Sequence, residues 1–550
     1  MRRRTFAAAA ACTLILVACT PPEPRGERTG AEPEASPTPQ EGPVSGGRLV
    51  VAISADPGGL NPAITTSGAT HTASELLYNG LVDLGPDLEP IPELAERWDI
   101  EDDGAVYRFH LREGVTWHDG EPFTSADVKY SFEQVLLEFH SRTRASMGPA
   151  LEAIETPDDA TVVFRFNQPY APLLQQLNVT EAPIVPRHIY EGSDPQTNPA
   201  NNDPVGTGPF RFVSYTPDAE IRLERNPDYF EQGLPYLDEV VMRVIPEEGS
   251  QVIAFEAGEI GWLWGVPGPD RERLQADPEV EFLETPVNPG GANCIMTVSF
   301  NLERPIFQDL RVRRAVAHGL DRDQFLERIL FGEGRVAAAP IHSGIAFAHA
   351  TGLDLPTHDP AEAQRLLDEA GWVRQGEGIR TARGVAGVPD GTPLAFNFLA
   401  FPTFVPYGEL LRAQLREIGM DVTVQQLEPQ VFADTVFEQR AFDTNIISYC
   451  NGTDPEIGVR RMYVSSSIGP VPFSNAAAYR NPEVDRLFDQ AQETVDQDER
   501  GDLYRQIQEI AAADLPYWWI VETVATRAYR SDCAGFQPSG HFAETGYCRR

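Results

Sequence analysis

The chain has 550 residues, 41% apolar and 23% charged, with a formal net charge of −38. So large an acidic excess excludes a nucleic-acid-binding surface, which needs basic patches. Ordinary apolar content at this length predicts a folded chain of several lobes, not a disordered or fibrous one.

Arg2, Arg3 and Arg4 precede an apolar run from Phe6 to Ala18. About 13 apolar residues make a helix of roughly 20 Å, too short for a ~30 Å hydrocarbon core. Residues 1–18 therefore read as an export signal. The signal ends in Leu16-Val17-Ala18-Cys19, which is similar to a bacterial lipobox and implies lipidation at Cys19. Arg3-Arg4-Thr5-Phe6 also fits a twin-arginine signal, so the export route stays open. Removing residues 1–18 removes three Arg and no acid and takes the balance to −41. Residues 19–46 then form a tether, rich in Pro, Glu, Gly, Thr and Ser and poor in large apolar side chains. Such a segment cannot bury enough surface to offset its chain entropy.

Arg48 to Ser54 predicts a buried strand, and Tyr107–Leu111 and Thr161–Phe166 alternate as half-buried strands. Ser125 to Phe139 predicts a helix with Ser125 as its cap and Val128, Phe132, Val135 and Leu136 on one face. Arg211 to Arg225 predicts a hairpin turning at Thr216-Pro217-Asp218. Val240–Ile245 predicts a strand, and Gln251–Ala257 a short helix stopped by Gly258. Cys294–Phe300 is a strand, followed by helices at Asp309–Leu320 and Asp321–Phe331. Arg311, Arg313 and Arg314 read as a solvated helix face beside Asp309 and Asp321. Asp359-Pro360 opens a helix that Gly371 ends. Strands at Leu394–Ala400, Asp421–Leu427 and Thr444–Cys450 alternate with helices at 407–418 and 429–439, which is an α/β pattern. Helices at 481–496 and 498–513 precede strands around Trp518-Trp519-Ile520 and Thr523–Tyr529.

Four cysteines remain after Cys12 leaves with the signal and Cys19 is lipidated, an even number for an oxidising compartment. Three pairings are possible. Cys533 with Cys548 closes a short loop, and Cys294 and Cys450 flank apolar β-rich runs in one half of the chain, which favours those two disulfides. No zinc spacing is present, so no metal ligand is assigned. No nucleophile elbow, His-Glu-x-x-His helix or Walker loop occurs, so neither catalysis nor a cofactor is expected.

Several ordered segments resemble the solute-binding family that includes peptide-, dipeptide- and nickel-binding proteins of ABC importers. They are Leu77-Tyr-Asn-Gly-Leu-Val82, Pro92-Glu-Leu-Ala-Glu-Arg-Trp98, Leu111-Arg-Glu-Gly-Val-Thr-Trp-His-Asp-Gly120, Gly206-Thr-Gly-Pro-Phe210, Arg225-Asn-Pro-Asp-Tyr229 and Phe307-Gln-Asp-Leu-Arg-Val-Arg-Arg-Ala315, with Asp454-Pro455 and Asn481-Pro482. The resemblance covers about residues 48–530. It implies an α/β, two-lobed periplasmic-binding-protein fold of type II, in the large form with an extra subdomain. Lobe I would take residues 47–83, 201–286 and 510–550, its inserted subdomain 84–200, and lobe II 287–509. The implied task is capture of a peptide or peptide-like solute in the interlobe cleft and delivery to an ABC permease and its ATPase. A lipid-anchored monomer outside the cytoplasm is the expected form. An oligosaccharide, an opine or a metal chelate is the alternative cargo, and ligand sensing the alternative task.

Peptide-binding relatives hold the ligand's α-ammonium with an Asp a few residues before the Asp/Glu-Pro pair. Here the stretch is Ser448-Tyr-Cys-Asn-Gly-Thr-Asp-Pro455, so Asn451 takes that place without the charge, and Asp454 is the nearest acid. Asn293, just before a strand near the crossover, is a second polar candidate. Trp262 and Trp264 offer indole faces on one side of an extended segment. The ligand-binding candidates are therefore Asn451, Asp454, Asn293, Trp262 and Trp264.

Overall fold

The computed structural model describes residues 42–86, 88–285, 293–538 and 541–549. The export signal, Cys19 and most of the tether lie outside the described residues, as does the boundary at 286/287. Among the described residues no helix is long and apolar enough to cross a membrane.

The first sheet runs, in spatial order, Val280–Thr285, Ala525–Arg530, Trp262–Leu263, Arg48–Ile53, Glu239–Val244, Glu220–Arg225 and Phe210–Thr216. Arg48–Ile53 sits centrally and parallel to Glu239–Val244. Its unbroken apolar run follows from burial on both faces. Leu49, Val51 and Ile53 join one core, and Ala52 joins a smaller cluster with Val252, Phe255 and Leu274. The predicted hairpin is present, and Asp218 takes φ 57° at its turn.

The inserted segment builds a four-stranded antiparallel sheet, Ala95–Glu101, Val106–Leu111, Thr161–Phe166 and Leu151–Asp158. Its Phe109, Phe132, Val162 and Phe164 share one core with Leu49 and Val51, so the insert is packed on the first sheet's lobe. The helix at 125 is capped by Thr124, not Ser125. Thr124 and Asp127 form a reciprocal capping box. The following turn, Ser131–Leu136, widens to π spacing before Leu137–Phe139 resumes the helix. Val128, Phe132, Val135 and Leu136 still point into the core.

The motif glycines have a backbone reason. A Cβ on Gly206 would lie 1.7 Å from the Leu77 carbonyl oxygen. Only glycine lets these chains approach so closely. His118 locks the same junction, its Nε2 donating to the Gly208 carbonyl and its Nδ1 accepting from the Gly206 amide, each at 3.1 Å. Burial lowers its pKa to about 4, so the ring stays neutral with one tautomer.

The second sheet runs Arg335–Val336, Tyr517–Glu522, Asn293–Phe300, Thr444–Asn451, Ala395–Ala400 and Asp421–Gln426. It has its own core, in which Phe300, Phe398, Ile446, Trp518 and Trp519 meet helices at Leu310–Gly319, Pro360–Glu369, Val405–Glu417 and Gln497–Asp514. Asp359 caps its helix as the sequence predicts, and Asp309 caps another. Arg313 does not lie on a solvated face. It is buried, and its guanidinium donates to the carbonyls of Phe307, Gln308, Asp514 and Leu515.

The chain leaves the first sheet after Thr285 and enters the second at Asn293. It returns at 523–524, between Tyr517–Glu522 in the second sheet and Ala525–Arg530 in the first. The boundary near 510 comes too early. Tyr504, Ile507 and Ala511 of the last long helix face the second core, and Tyr517–Glu522 pairs with Asn293–Phe300.

Cys294 and Cys450 are joined across directly opposed positions of two neighbouring strands. Cys533 and Cys548, 15 residues apart, close a C-terminal hairpin whose Phe536 and Phe542 pack on Trp262. A loop of that length contributes about 3 kcal/mol by restricting the unfolded chain. The double variant Cys533→Ala/Cys548→Ala should lose about that much in urea unfolding under non-reducing conditions. A loss below about 1 kcal/mol would show that packing alone holds the hairpin.

Candidate functional site

Both passages between the sheets leave the second sheet at one edge. Asn293 begins one strand there, Asn451 ends its neighbour, and the two are paired in register. Thr523 donates to the Cys294 carbonyl at 3.0 Å, so the return crossing is tied to the same edge. Both asparagines are almost fully buried, at 2% and 1% exposure, and the Asn451 Nδ2 has no hydrogen-bond partner among the described residues. A buried amide donor left open at a lobe edge is costly unless something else fills it.

The segment after Asn451 turns back and presents residues toward the insert. Thr453 Oγ1 donates to the Gln175 carbonyl of the insert at 3.3 Å, and the Ala171 amide donates to the Gln492 carbonyl at 3.0 Å. Asn178 shapes the facing turn by accepting from the amides of Thr180 and Glu181. A cavity of about 150 Å³ lies between these surfaces, lined by Gln175 and Leu88 on one side and Thr453, Phe347 and Gln497 on the other. A larger open concavity of about 390 Å³ lies beside Glu96, Arg97, His110 and Phe230 and touches one lobe only.

Asp454 does not reach this space as a ligand residue. It is fully buried in an ion pair, its Oδ2 2.8 Å from Arg500 Nη1 and its Oδ1 accepting from Arg500 Nη2 at 3.0 Å. The same Oδ1 accepts from the Glu456 amide at 2.9 Å, the Asp-Pro turn contact. Burial opposes charge on Arg500, but Asp454 outweighs it and raises the guanidinium pKa further. Burial pushes neighbouring Glu456 up to about 7, with Arg460 pulling the other way. Tyr504 donates to Glu456 at 3.1 Å and completes the network.

Trp262 is a core residue. It has no exposure, and it packs among Tyr529, Phe536, Phe542 and Trp264. Trp264 shares its face, as the spacing predicts, but is half-buried, with the Arg527 guanidinium 5.8 Å from its ring centre. Trp264 therefore stays a candidate near the return crossing.

Two residues absent from the sequence reading pair within the insert, Arg142 and Glu181, at 3.1 Å. No motif marks them, because 39 positions separate them in the sequence. A separate buried cluster unites Asp83, Glu93 and His541, whose ligand atoms lie within 4.8 Å of one another. His541 Nε2 donates to the Tyr78 carbonyl at 2.7 Å, fastening the C-terminal hairpin to the first lobe. Burial disfavours its charged form, but Glu93, Glu544 and Asp83 outweigh that and raise its pKa to about 9.

Two cores, two sheets, a double crossing and polar segments meeting between the lobes define a class, the type II periplasmic-binding fold with an inserted subdomain. Residues 89–469 match the bacterial extracellular solute-binding proteins, family 5, and the chain belongs to that family. Its members are non-enzymatic solute-binding components of ABC transporters. Heme-binding protein A of Haemophilus influenzae is 28% identical over 552 residues, covering 95% of this chain and 94% of that protein. The oligopeptide-binding protein AppA of Bacillus subtilis is 28% identical over 489 residues, covering 87% and 86%. AppA's structure with a nonapeptide superposes with a TM-score of 0.74 over 92% of this chain and 100% of AppA, at 26% identity. NikA of Brucella suis, solved with Fe(III)-EDTA, shares the fold at TM-score 0.79, 24% identity and coverage of 91% and 99%.

Removing one partner of a buried ion pair leaves the other charged and unpaired, at about 3–5 kcal/mol. Asp454→Ala should destabilise the protein by that amount in urea unfolding, and Asp454→Ala/Arg500→Met should recover part of it. A change under about 1 kcal/mol would return Asp454 to the ligand candidates.

Proposed function

We propose that this chain is the lipid-anchored substrate-binding protein of an ABC importer, capturing a peptide or peptide-like solute between its lobes. The carrying observation is the polar interlobe surface, where Asn451 ends a buried strand with an open amide and Thr453 already touches the insert. A ligand contacting both lobes stabilises the closed arrangement by its differential affinity for it, and hinge closure is the motion this geometry permits. The permease and its ATPase then receive the loaded protein. The lipobox at Cys19 and the tether behind it support anchoring outside the cytoplasm.

The peptide reading draws on the resemblance to AppA. One observation favours a second cargo. Asn451 supplies hydrogen bonds but no charge for an α-ammonium, which a carboxylate holds more strongly. A solute without a free amine, such as an opine, an oligosaccharide or a metal chelate, fits that substitution better.

A thermal-shift screen of the purified protein separates these cargoes. Ligand at ~100 times its dissociation constant stabilises by ~2.7 kcal/mol. Peptides of two to nine residues should raise the melting temperature, and Asn451→Asp should tighten peptides by about tenfold or more. Shifts from glycans, opines or chelates alone would overturn the peptide reading. An unchanged peptide affinity in Asn451→Asp would remove that position from the amine site.

A further inference from the structure

The buried cluster behind the C-terminal hairpin has the donor set and the spacing of a metal centre. Asp83 stands on the strand Val82–Leu84, and Glu93 lies between the strands Pro90–Pro92 and Ala95–Glu101. His541 comes from the hairpin closed by Cys533 and Cys548. One ligand atom of each lies within 4.8 Å of the other two. His541 and Glu93 are 2% and 8% exposed, and Asp83 is partly buried. The imidazole is oriented from outside the cluster. Its Nε2–H donates to the Tyr78 carbonyl at 2.7 Å, which leaves Nδ1 facing the carboxylates. Among the described residues Nδ1 makes no hydrogen bond, and it lies 3.5 Å from Glu93 Oε1. That gap is longer than the ~2.7–2.9 Å of a charge-assisted hydrogen bond. It matches two ligands of one tetrahedral ion, which bonds of ~2.0–2.2 Å place roughly 3.3–3.6 Å apart. Glu93 is held by Asn79, whose Nδ2 donates to Glu93 Oε1 while its Oδ1 accepts from Thr207 Oγ1 at 2.7 Å. A third carboxylate, Glu544, shares the hairpin turn with His541. Its amide donates to the His541 carbonyl at 2.9 Å, and its side chain accepts from Tyr229 at 2.7 Å. Among the described residues no Arg or Lys forms an ion pair with Asp83, Glu93 or Glu544.

We propose that Asp83, Glu93 and His541 bind a divalent transition-metal ion of the zinc class, which fastens the C-terminal hairpin to the first lobe. The ion takes Nδ1 in place of a proton, which leaves to solvent, and supplies the positive charge that the carboxylates lack. One imidazole with carboxylate oxygens suits zinc better than calcium or magnesium, which take oxygen ligands alone. A hydrogen bond from the other ring nitrogen to a backbone carbonyl is the usual support of a metal-bound imidazole. The three ligands come from segments far apart in the chain, so binding stabilises the folded state. The site shares no residue with the interlobe surface and is independent of the cargo.

The test uses the full mature protein, stripped with EDTA, dialysed and titrated with zinc chloride by calorimetry, with calcium chloride as the control. Zinc should fill one saturable site and raise the melting temperature, and calcium should do neither. His541→Gln and Asp83→Asn should each weaken zinc by about tenfold or more. Asp83→Asn keeps the side chain's size at a partly buried position, so it reads the site even if His541→Gln fails to fold. His188→Gln, which breaks a surface pair with Asp119, should leave zinc affinity unchanged. Cobalt(II) should bind in the same place and show visible absorption bands that are lost in His541→Gln. Zinc that does not saturate at one ion per chain would overturn the proposal. So would an affinity unchanged in both His541→Gln and Asp83→Asn, or lost equally in His188→Gln, since the ion would then be adventitious. A wild type that takes up no zinc, with His541→Gln lowering only the metal-free melting temperature, would also overturn it, because the imidazole would then act as a structural ion pair alone.

Discussion

Everything about the cleft depends on where the chain passes between its two hydrophobic cores. Both passages meet the second sheet at the edge where Asn293, Asn451 and Glu522 end or begin their strands. Each core is sealed within its own lobe. The lobes are covalently joined at that edge and elsewhere meet through polar contacts such as Thr453 with Gln175 and Arg271 with Glu333, and through small apolar ones such as Val495 on Gly104 and Phe331 on Gly268. These contacts are few and local beside the two hydrophobic cores. The hydrophobic effect therefore holds each lobe together mainly through its own core, with far fewer contacts between the lobes. The arrangement suits a protein that must close on a solute and later release it.

The second lobe also fixes its cleft-facing turn from inside. Asp454, Arg500, Tyr504 and Glu456 form a buried network behind residues 451–461. Breaking such a network is costly, so it favours one shape for the segment in front of it. The Cys294–Cys450 disulfide pins the same strand pair one residue before Asn293 and Asn451 reach the edge. The first lobe has a counterpart in the C-terminal hairpin, closed by Cys533–Cys548 and seated by His541 among three carboxylates. Its aromatic side chains absorb Trp262, which leaves Trp264 nearer the crossing.

Much of the fold is legible in local sequence. Strands such as Thr161–Phe166 and capped helices such as Asp359-Pro360 are short-range signals, and period and cap chemistry read them directly. The crossing at 523–524 is not local, because nothing between 510 and 530 tells which sheet each strand joins. Arg313 shows the same limit, since its helical face reads as solvated until Leu515 and Phe307 fold over it. The site divides similarly. The place of Asn451 and Asn293 at the crossing edge is readable from motif order, whereas Asp454 has a partner 46 positions away that no spacing rule finds. Arg142 and Glu181 pair only because two segments of the insert fold together.

The central claim is that one solute is held by both lobes at once. Hydrogen exchange with and without a stabilising ligand tests it most directly, because protection reports local opening segment by segment. The account predicts simultaneous protection of residues 175–181 on the insert and 451–461 on the second lobe, with little change in either core. Protection confined to one lobe, or centred on the outer concavity beside His110 and Phe230, would contradict it.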